Sequence, residues 1–213
     1  MKKPRVVIAD DHRLFLEAFE GLIETQCEIV GAATDGRQVV QLATELRPDL
    51  VCLDITMPLL NGIEAMRRIK RVSPETKLIT VTMQSSRDYV REAFEAGASA
   101  YVLKQGAAAE LLSAIDDVLH GRYFVSRLIA DRYLQHPLSA DANPARLFSV
   151  LTARQREVLQ LVAEGKSAKE IAALLFISVK TVEFHKKHLL EELHLRSSAE
   201  LIRYAVEQAW VAS

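Results

Sequence analysis

The chain has 213 residues, 49% hydrophobic and 26% charged, with a formal net charge of −1. That length holds one large domain or two small ones, and the near-neutral balance excludes a surface built throughout for nucleic acid or an anionic membrane. No apolar run reaches the roughly 18 residues of a membrane span, and the start MKKPRVVIADD, cut short by two aspartates, is not a secretory signal.

A cytoplasmic protein is therefore expected, without a membrane partner. Cys27 and Cys52 stand far apart in apolar segments with no C-x-x-C spacing, which suits small buried hydrophobes in a reducing compartment.

Taken in chain order, the first 120 or so residues alternate two periodicities. Short apolar runs rich in β-branched residues lie at Arg5–Ala9, Glu28–Ala33, Asp49–Leu53, Lys77–Thr82 and Ser99–Leu103. Helical spacing fills the gaps: Leu14, Ala18, Leu22; then Val39, Leu42, Ala43, Leu46; then Ile63, Met66, Ile69; then Val90, Ala93, Phe94; and finally Leu111, Ile115, Leu119. The pattern predicts an α/β fold, a five-stranded doubly wound parallel sheet covered on both faces. Past Gly121, Arg127–His136 reads as a helix, and PLSADANPAR reads as a linker. From Leu147 only helices are predicted, four of them in a small all-α unit. Three starts carry the S/T-x-x-E/Q capping box, at Thr152–Gln155, Ser167–Glu170 and Ser197–Glu200, with Ser178 as a fourth N-cap and Gly165 as a helix stop. Residues 146–213 hold 10 Lys/Arg against 8 Asp/Glu, and residues 1–145 hold 17 against 20, an asymmetry with the sign of a DNA-binding C-terminal half.

Polar residues gather at the strand ends. Asp10 and Asp11 follow the first strand, Asp54 the third, Thr82 closes the fourth and Lys104 follows the fifth. In open α/β sheets the functional crevice lies at the carboxyl ends of the strands, where the order reverses. With the order 2-1-3-4-5 the three aspartates would converge, repelling one another unless a hard cation such as Mg²⁺ joined them. Metal, lysine and hydroxyl at one edge suit a phosphoryl group, with Asp54 as nucleophile. Taken singly, each of these residues is more often a turn former or cap; together, four of the five strand ends carry the needed chemistry.

In VVIADDHRLF, VCLDITMPLLNG, LITVTM and GASAYVLK, residues 4–121 resemble the receiver domains of bacterial two-component response regulators. The resemblance implies that Asp54 accepts phosphate from a sensor histidine kinase. It implies that Asp10, Asp11, Asp54 and the Thr56 carbonyl bind Mg²⁺, that Thr82 and Tyr101 form a switch pair, and that Lys104 contacts the phosphoryl group. Receivers usually carry a very small residue after the switch hydroxyl; Met83 stands there and is expected to narrow access to Asp54. An aspartate-nucleophile phosphatase is the enzymatic rival. It typically needs a second carboxylate two residues after the nucleophile, where this chain has Thr56, so an acceptor and not an enzyme is expected.

In the second half, GKSAKEIAALLFISVKTVEFHKKHLLEELHL places one helix carrying Ile171, Ala172 and Leu175, a short break with Ile177 buried, and a second helix burying Val182, Leu189 and Leu193. This is helix-turn-helix spacing, with the second helix free to enter a major groove. Its outward face would present Lys180, Glu183, Phe184, Lys187, His188 and Glu191, with Thr181 and Lys186 suited to phosphates. By periodicity alone, a plain helical bundle with a solvated charged face competes. His185-x-x-His188 lacks a third metal ligand at suitable spacing. LTARQREVLQLVAEGKSAKEIAALLFISVKTVEFHKKHLL resembles the LuxR-type domain, and the two halves together resemble the NarL/FixJ class. The residue pattern puts this second domain at 147–213, after a linker with a helical segment over 122–146, and the resemblance implies promoter DNA as partner and a homodimer formed on phosphorylation or DNA binding. The family commonly has Asn, Lys and Arg where Ala168, Glu192 and Ser198 stand, so these three polar or phosphate contacts are missing here. A regulator that keeps the receiver fold but ignores phosphorylation is the alternative.

Overall fold

A computed structural model describes residues 3–135 and 151–207, which fall in two compact units. In the first, β1 (Arg5–Ala9), α1 (Arg13–Ile23), β2 (Glu28–Ala33), α2 (Gly36–Leu46), β3 (Leu50–Leu53), α3 (Gly62–Val72), β4 (Lys77–Thr82), α4 (Arg87–Glu95), β5 (Ala100–Leu103) and α5 (Ala107–Leu119) alternate as expected. All strands pair in parallel in the order β2-β1-β3-β4-β5-β6. The sequence pattern predicts five strands, and the sheet has a sixth, β6 (Phe124–Val125), in the segment expected to be linker. It pairs with the edge of β5, Ala100 opposite Phe124 and Tyr101 opposite Val125. Pairing covers backbone groups that β5 would otherwise leave open.

β1, β3, β4 and β5 lie inside the sheet, and their continuous apolar runs are buried on both faces. On one side Leu16, Phe19 and Ile23 of α1 and Leu111, Ala114, Ile115 and Val118 of α5 pack against Val6, Ile8, Cys52, Ile79, Val81 and Val102. Cys27 and Cys52 are both free and buried, as expected of small hydrophobes. Helix starts follow their caps: Asp35 accepts from Arg37 N and Gln38 N, and Asn61 accepts from Glu64 N. α6 (Arg127–Gln135) follows β6, held by Ser126, whose hydroxyl accepts from Leu103 N at 3.0 Å and donates to Glu110. The predicted linker PLSADANPAR lies outside the described residues.

The second unit contains α7 (Ala153–Ala163), α8 (Ala168–Leu175), α9 (Val179–Glu192) and α10 (Ser198–Glu207). The capping boxes of Thr152 and Ser167 are complete, and Ser178 caps α9 through Thr181 N. At α10 Ser197 accepts from Glu200 N, but Glu200 reaches back to Arg196 N instead of the cap residue. Gly165, at φ +76, ends α7 in the left-handed region. Val158, Leu161, Ile171, Ala172, Val182, Leu189, Leu193, Leu201 and Ala205 form the core. Ile177, expected to be buried, is half-buried. Phe176 closes α8 at φ 53, a left-handed cap that turns its ring out of the core to 94% exposure.

Candidate functional site

The parallel order brings the ends of β1 and β3 side by side, with Ala9 opposite Leu53. Asp10 and Asp54 therefore leave adjacent strands at one edge, both buried, with Asp11 half-buried beside them. Asp54 is anchored at both ends of its residue. Its N–H donates to Ala9 O at 3.0 Å, and its Oδ1 accepts from Ile55 N at 2.6 Å and Thr56 N at 3.3 Å. Gly62 makes the tight return into α3 possible: its N–H donates to Ile55 O at 2.7 Å, and a Cβ there would lie 2.0 Å from the Asp54 carbonyl oxygen.

Lys104 joins the acids. Its Nζ lies 2.6 Å from Asp10 Oδ2 and 2.6 Å from Asp54 Oδ2, and 4.7 Å above the centre of the Phe15 ring. Burial opposes charge on the ammonium, but Asp54 and Asp10 outweigh it, so the lysine pKa is raised above its ordinary value. The set Asp10, Asp11, His12 and Asp54 offers one ligand atom each, all within 4.8 Å of one another. Three hard oxygen donors in that span fit a divalent cation such as Mg²⁺. His12 is a residue the sequence reading missed. Its Nδ1 lies 2.8 Å from Asp11 Oδ1 and 3.2 Å from Asp10 Oδ1. The signal was its place directly after the acidic pair; which way the ring turns is a tertiary fact.

Thr82 and Tyr101 are both buried, and the backbone of one residue links them. Gln84 N donates to Thr82 Oγ1 at 3.3 Å, and the Tyr101 hydroxyl donates to Gln84 O at 2.9 Å. Gln84 Nε2 also donates to Thr56 Oγ1 at 3.4 Å, so both ends of this residue meet the loops around Asp54. Met83, expected to narrow access to Asp54, is 56% exposed.

In the second unit, Lys180, Glu183, Phe184, Lys187 and Glu191 share the solvent-facing side of α9, opposite buried Val182 and Leu189. The Phe184 and His188 rings pack at 4.2 Å between centroids, tilted by 42°, with His188 Nδ1 3.0 Å from Phe184 O. Lys186 lies 3.4 Å from Glu183, and the Thr181 hydroxyl is already paired with Ser178 at 2.8 Å. His185 turns inward, and burial, followed by Arg154 and His188, lowers its pKa.

Residues 6–116 match the response regulator receiver domain, and residues 149–205 match the luxR family of bacterial regulatory proteins. The oxygen regulatory protein NreC of Staphylococcus haemolyticus is 35% identical over 211 residues, covering 96% of this chain and 97% of that protein. The RcsB response regulator of Salmonella typhimurium is similar in structure, with a TM-score of 0.67 and 26% identity over 97% of this chain and 98% of that one. A two-component response regulator RcsB–DNA complex is similar at a TM-score of 0.60 and 25% identity, over 99% of this chain and 100% of that one. With the acid–lysine edge on the sheet and the outward face of α9, these likenesses lead to one conclusion: the chain belongs to the DNA-binding response regulators of the NarL/FixJ class, a receiver domain joined to a LuxR-family helix-turn-helix domain.

Proposed function

We propose that Asp54 is the phosphoacceptor through which a sensor histidine kinase controls promoter binding by α9. On this reading residues 4–121 receive the phosphoryl group, 122–146 link, and 147–213 bind DNA, in a cytoplasmic protein that pairs as a homodimer. The observation that carries the proposal is Lys104 Nζ, held 2.6 Å from both Asp54 and Asp10 in a pocket of three carboxylates. In the transfer, an Asp54 carboxylate oxygen forms a bond to phosphorus as the bond from phosphorus to the kinase imidazole nitrogen breaks. The electron pair leaves with the imidazole, which takes up a proton. Mg²⁺, held by Asp10, Asp11, Asp54 and the Thr56 carbonyl, would neutralise phosphoryl oxygens. Lys104 would leave Asp54 for a phosphoryl oxygen, and Thr82 would donate its hydroxyl to another.

That second movement reaches Tyr101 through one residue. When Thr82 turns to the phosphoryl group it releases Gln84 N, and Gln84 O is the acceptor for Tyr101. The Tyr101 ring is already buried, so the switch alters its hydrogen bond and the surface around it instead of moving the ring in from outside. On DNA, Lys180, Lys187 and Glu183 would face base edges, Phe184 with His188 would meet a thymine methyl, and Lys186 and Thr181 would meet phosphates. The chain holds a phosphoryl group and does not turn over substrate, since Thr56 stands where a phosphatase has its acid.

The deciding experiment compares DNA binding of the full chain before and after treatment with Mg²⁺ and a small phosphodonor, using wild type and Asp54→Asn. Expected are labelling of wild type only and tighter DNA binding by the labelled form. Equal labelling of Asp54→Asn would refute Asp54 as acceptor. Unchanged DNA binding after full labelling would establish a phosphorylation-independent regulator instead.

A further inference from the structure

We infer that His12 is an additional ligand of the cation site, and that it biases the site toward a late first-row divalent ion, such as Fe²⁺ or Zn²⁺, relative to Mg²⁺. The inference rests on the acidic site proposed above and adds a donor of different chemistry. His12 occupies the N-cap of α1, where Ser, Thr, Asp or Asn would satisfy a free helix N–H. Its side chain makes no capping hydrogen bond. Its backbone does that work alone, the carbonyl accepting from Phe15 N at 2.9 Å and Leu16 N at 3.1 Å. The ring folds back over the acids, with Nδ1 2.8 Å from Asp11 Oδ1 and 3.2 Å from Asp10 Oδ1. Its backbone N–H donates to Asp10 Oδ1 at 2.9 Å, which fixes the residue against the same carboxylate. The helix start has given up a cap, and the imidazole offers the three acids a further donor of a different kind.

The donor set decides the preference. Three carboxylates alone suit Mg²⁺, Ca²⁺ or Mn²⁺; an imidazole nitrogen adds affinity for Fe²⁺, Ni²⁺, Cu²⁺ and Zn²⁺ and little for Mg²⁺. Nδ1 faces two acceptor oxygens and so carries a proton in this pose; a cation would take that proton's place on the Nδ1 lone pair, leaving the ring proton on Nε2. His12 is 65% exposed at its side chain, which leaves Nε2 free to meet water.

The test is calorimetric titration of the full chain with Mg²⁺ and separately with Zn²⁺, at a pH of about 8 where an ordinary imidazole is neutral. Wild type, His12→Ala, His12→Gln and Asp11→Asn are compared. Losing the imidazole should weaken Zn²⁺ binding at this site by at least about tenfold and leave Mg²⁺ binding within about twofold. His12→Gln should match His12→Ala, since the amide keeps size and polarity without the nitrogen donor. Co²⁺ absorption in the visible gives a second readout, losing intensity and shifting when the nitrogen ligand is removed. Equal losses for both ions, or no loss for Zn²⁺, would overturn the role of His12 while leaving the acidic site standing. If Asp11→Asn weakens neither ion, the acidic site itself is wrong, and the inference falls with it.

Discussion

Gly62→Ala tests how tightly the acceptor loop is built. A Cβ at this position would lie 2.0 Å from Asp54 O, 2.8 Å from Asp54 C and 2.9 Å from Ile55 Cα. All three are backbone atoms, so no flexible side chain can yield. Real Cβ contacts essentially never fall below 3.0 Å, and the two segments must therefore part by roughly 1 Å. That movement breaks the 2.7 Å bond from Gly62 N to Ile55 O, a loss of about 1 kcal/mol. Overpacking adds about 1–3 kcal/mol. The sum, about 2–4 kcal/mol, lowers the melting temperature of the receiver unit by roughly 10 °C. The same shift displaces Asp54 against Lys104, and a displacement near 1 Å costs about a hundredfold in a positioned reaction. Thermal unfolding of the full chain and the rate of labelling by a small phosphodonor measure the two effects. Gly21→Ala is the control: it lies in α1 with nothing within 4 Å of the added Cβ, and should stabilise by about 0.5–1 kcal/mol. A Gly62→Ala protein that melts and labels like wild type would refute the close approach.

Lys104→Met leaves Asp10 and Asp54 buried without their shared cation. The cost should be about 3–5 kcal/mol, and added Mg²⁺ should restore more stability to this variant than to wild type, as read from urea midpoints. The receiver unit should also lose stability at alkaline pH. Burial raises the Cys52 thiol well above its ordinary 9.0, and the acids raise Lys104 above 10.5 against the opposing effect of burial. Both folded values exceed the unfolded ones, so each contribution is complete below the ordinary value and is lost as pH rises through the folded value. Urea midpoints should hold to near 9.0 and fall beyond it, and Cys52→Ala should reduce the earlier part of the fall, to which the buried Cys27 thiol, also raised, contributes; a flat profile would contradict the burial of these thiols. On DNA, Lys187→Ala should cost about 1–3 kcal/mol and relax preference at one base pair, whereas Lys186→Ala should weaken all sequences alike and reduce the salt slope by about 1. Binding titrations over several salt concentrations separate the two outcomes.

The sheet was legible because its five main strands are short apolar runs bounded by polar turns, and two helices of the second unit were legible because Ser167 and Ser178 mark their starts by local chemistry. β6 was not legible. Two residues, Phe124 and Val125, carry no period, and the open edge of β5 makes them a strand. At the site, the types and order of Asp10, Asp11, Asp54, Thr82 and Lys104 were readable, since a strand end fixes where such residues go. The fold of the His12 ring over the acids was not, because an N-cap histidine has no local reason to turn either way. Ile177 also departed from its reading: expected to be buried, it is half-buried, beside the left-handed cap at φ 53 that turns Phe176 outward. The Thr181 hydroxyl, expected from its place to meet phosphate, shares a hydrogen bond with the Ser178 hydroxyl in this structure.

If Asp54 is the phosphoacceptor as proposed, charge requires Lys104, and not the phosphoryl group alone, to carry much of the switch. Asp10, Asp11, Asp54 and Lys104 together hold a formal charge of about −2 at neutral pH. A divalent cation brings that near zero. Phosphorylation then replaces one carboxylate charge on Asp54 with about −1.5 to −2 on the phosphoryl group, a net change of about one unit. Turning a switch from mostly off to mostly on needs about 5.5 kcal/mol of differential stabilisation, more than one added charge beside a cation supplies by itself. The larger change is in partners. On the proposed function Lys104 would give up Asp54 Oδ2, and Thr82 would give up the N–H of Gln84, the residue whose carbonyl accepts from Tyr101. Gln84→Gly keeps the peptide but removes the side-chain bond to Thr56, so phosphorylation should still reach Tyr101 and tighten DNA binding. Tyr101→Phe removes the hydroxyl that Gln84 O accepts, so labelling should proceed as in wild type with a reduced gain in DNA affinity. A Tyr101→Phe protein with the full wild-type gain would place the relay elsewhere in the receiver.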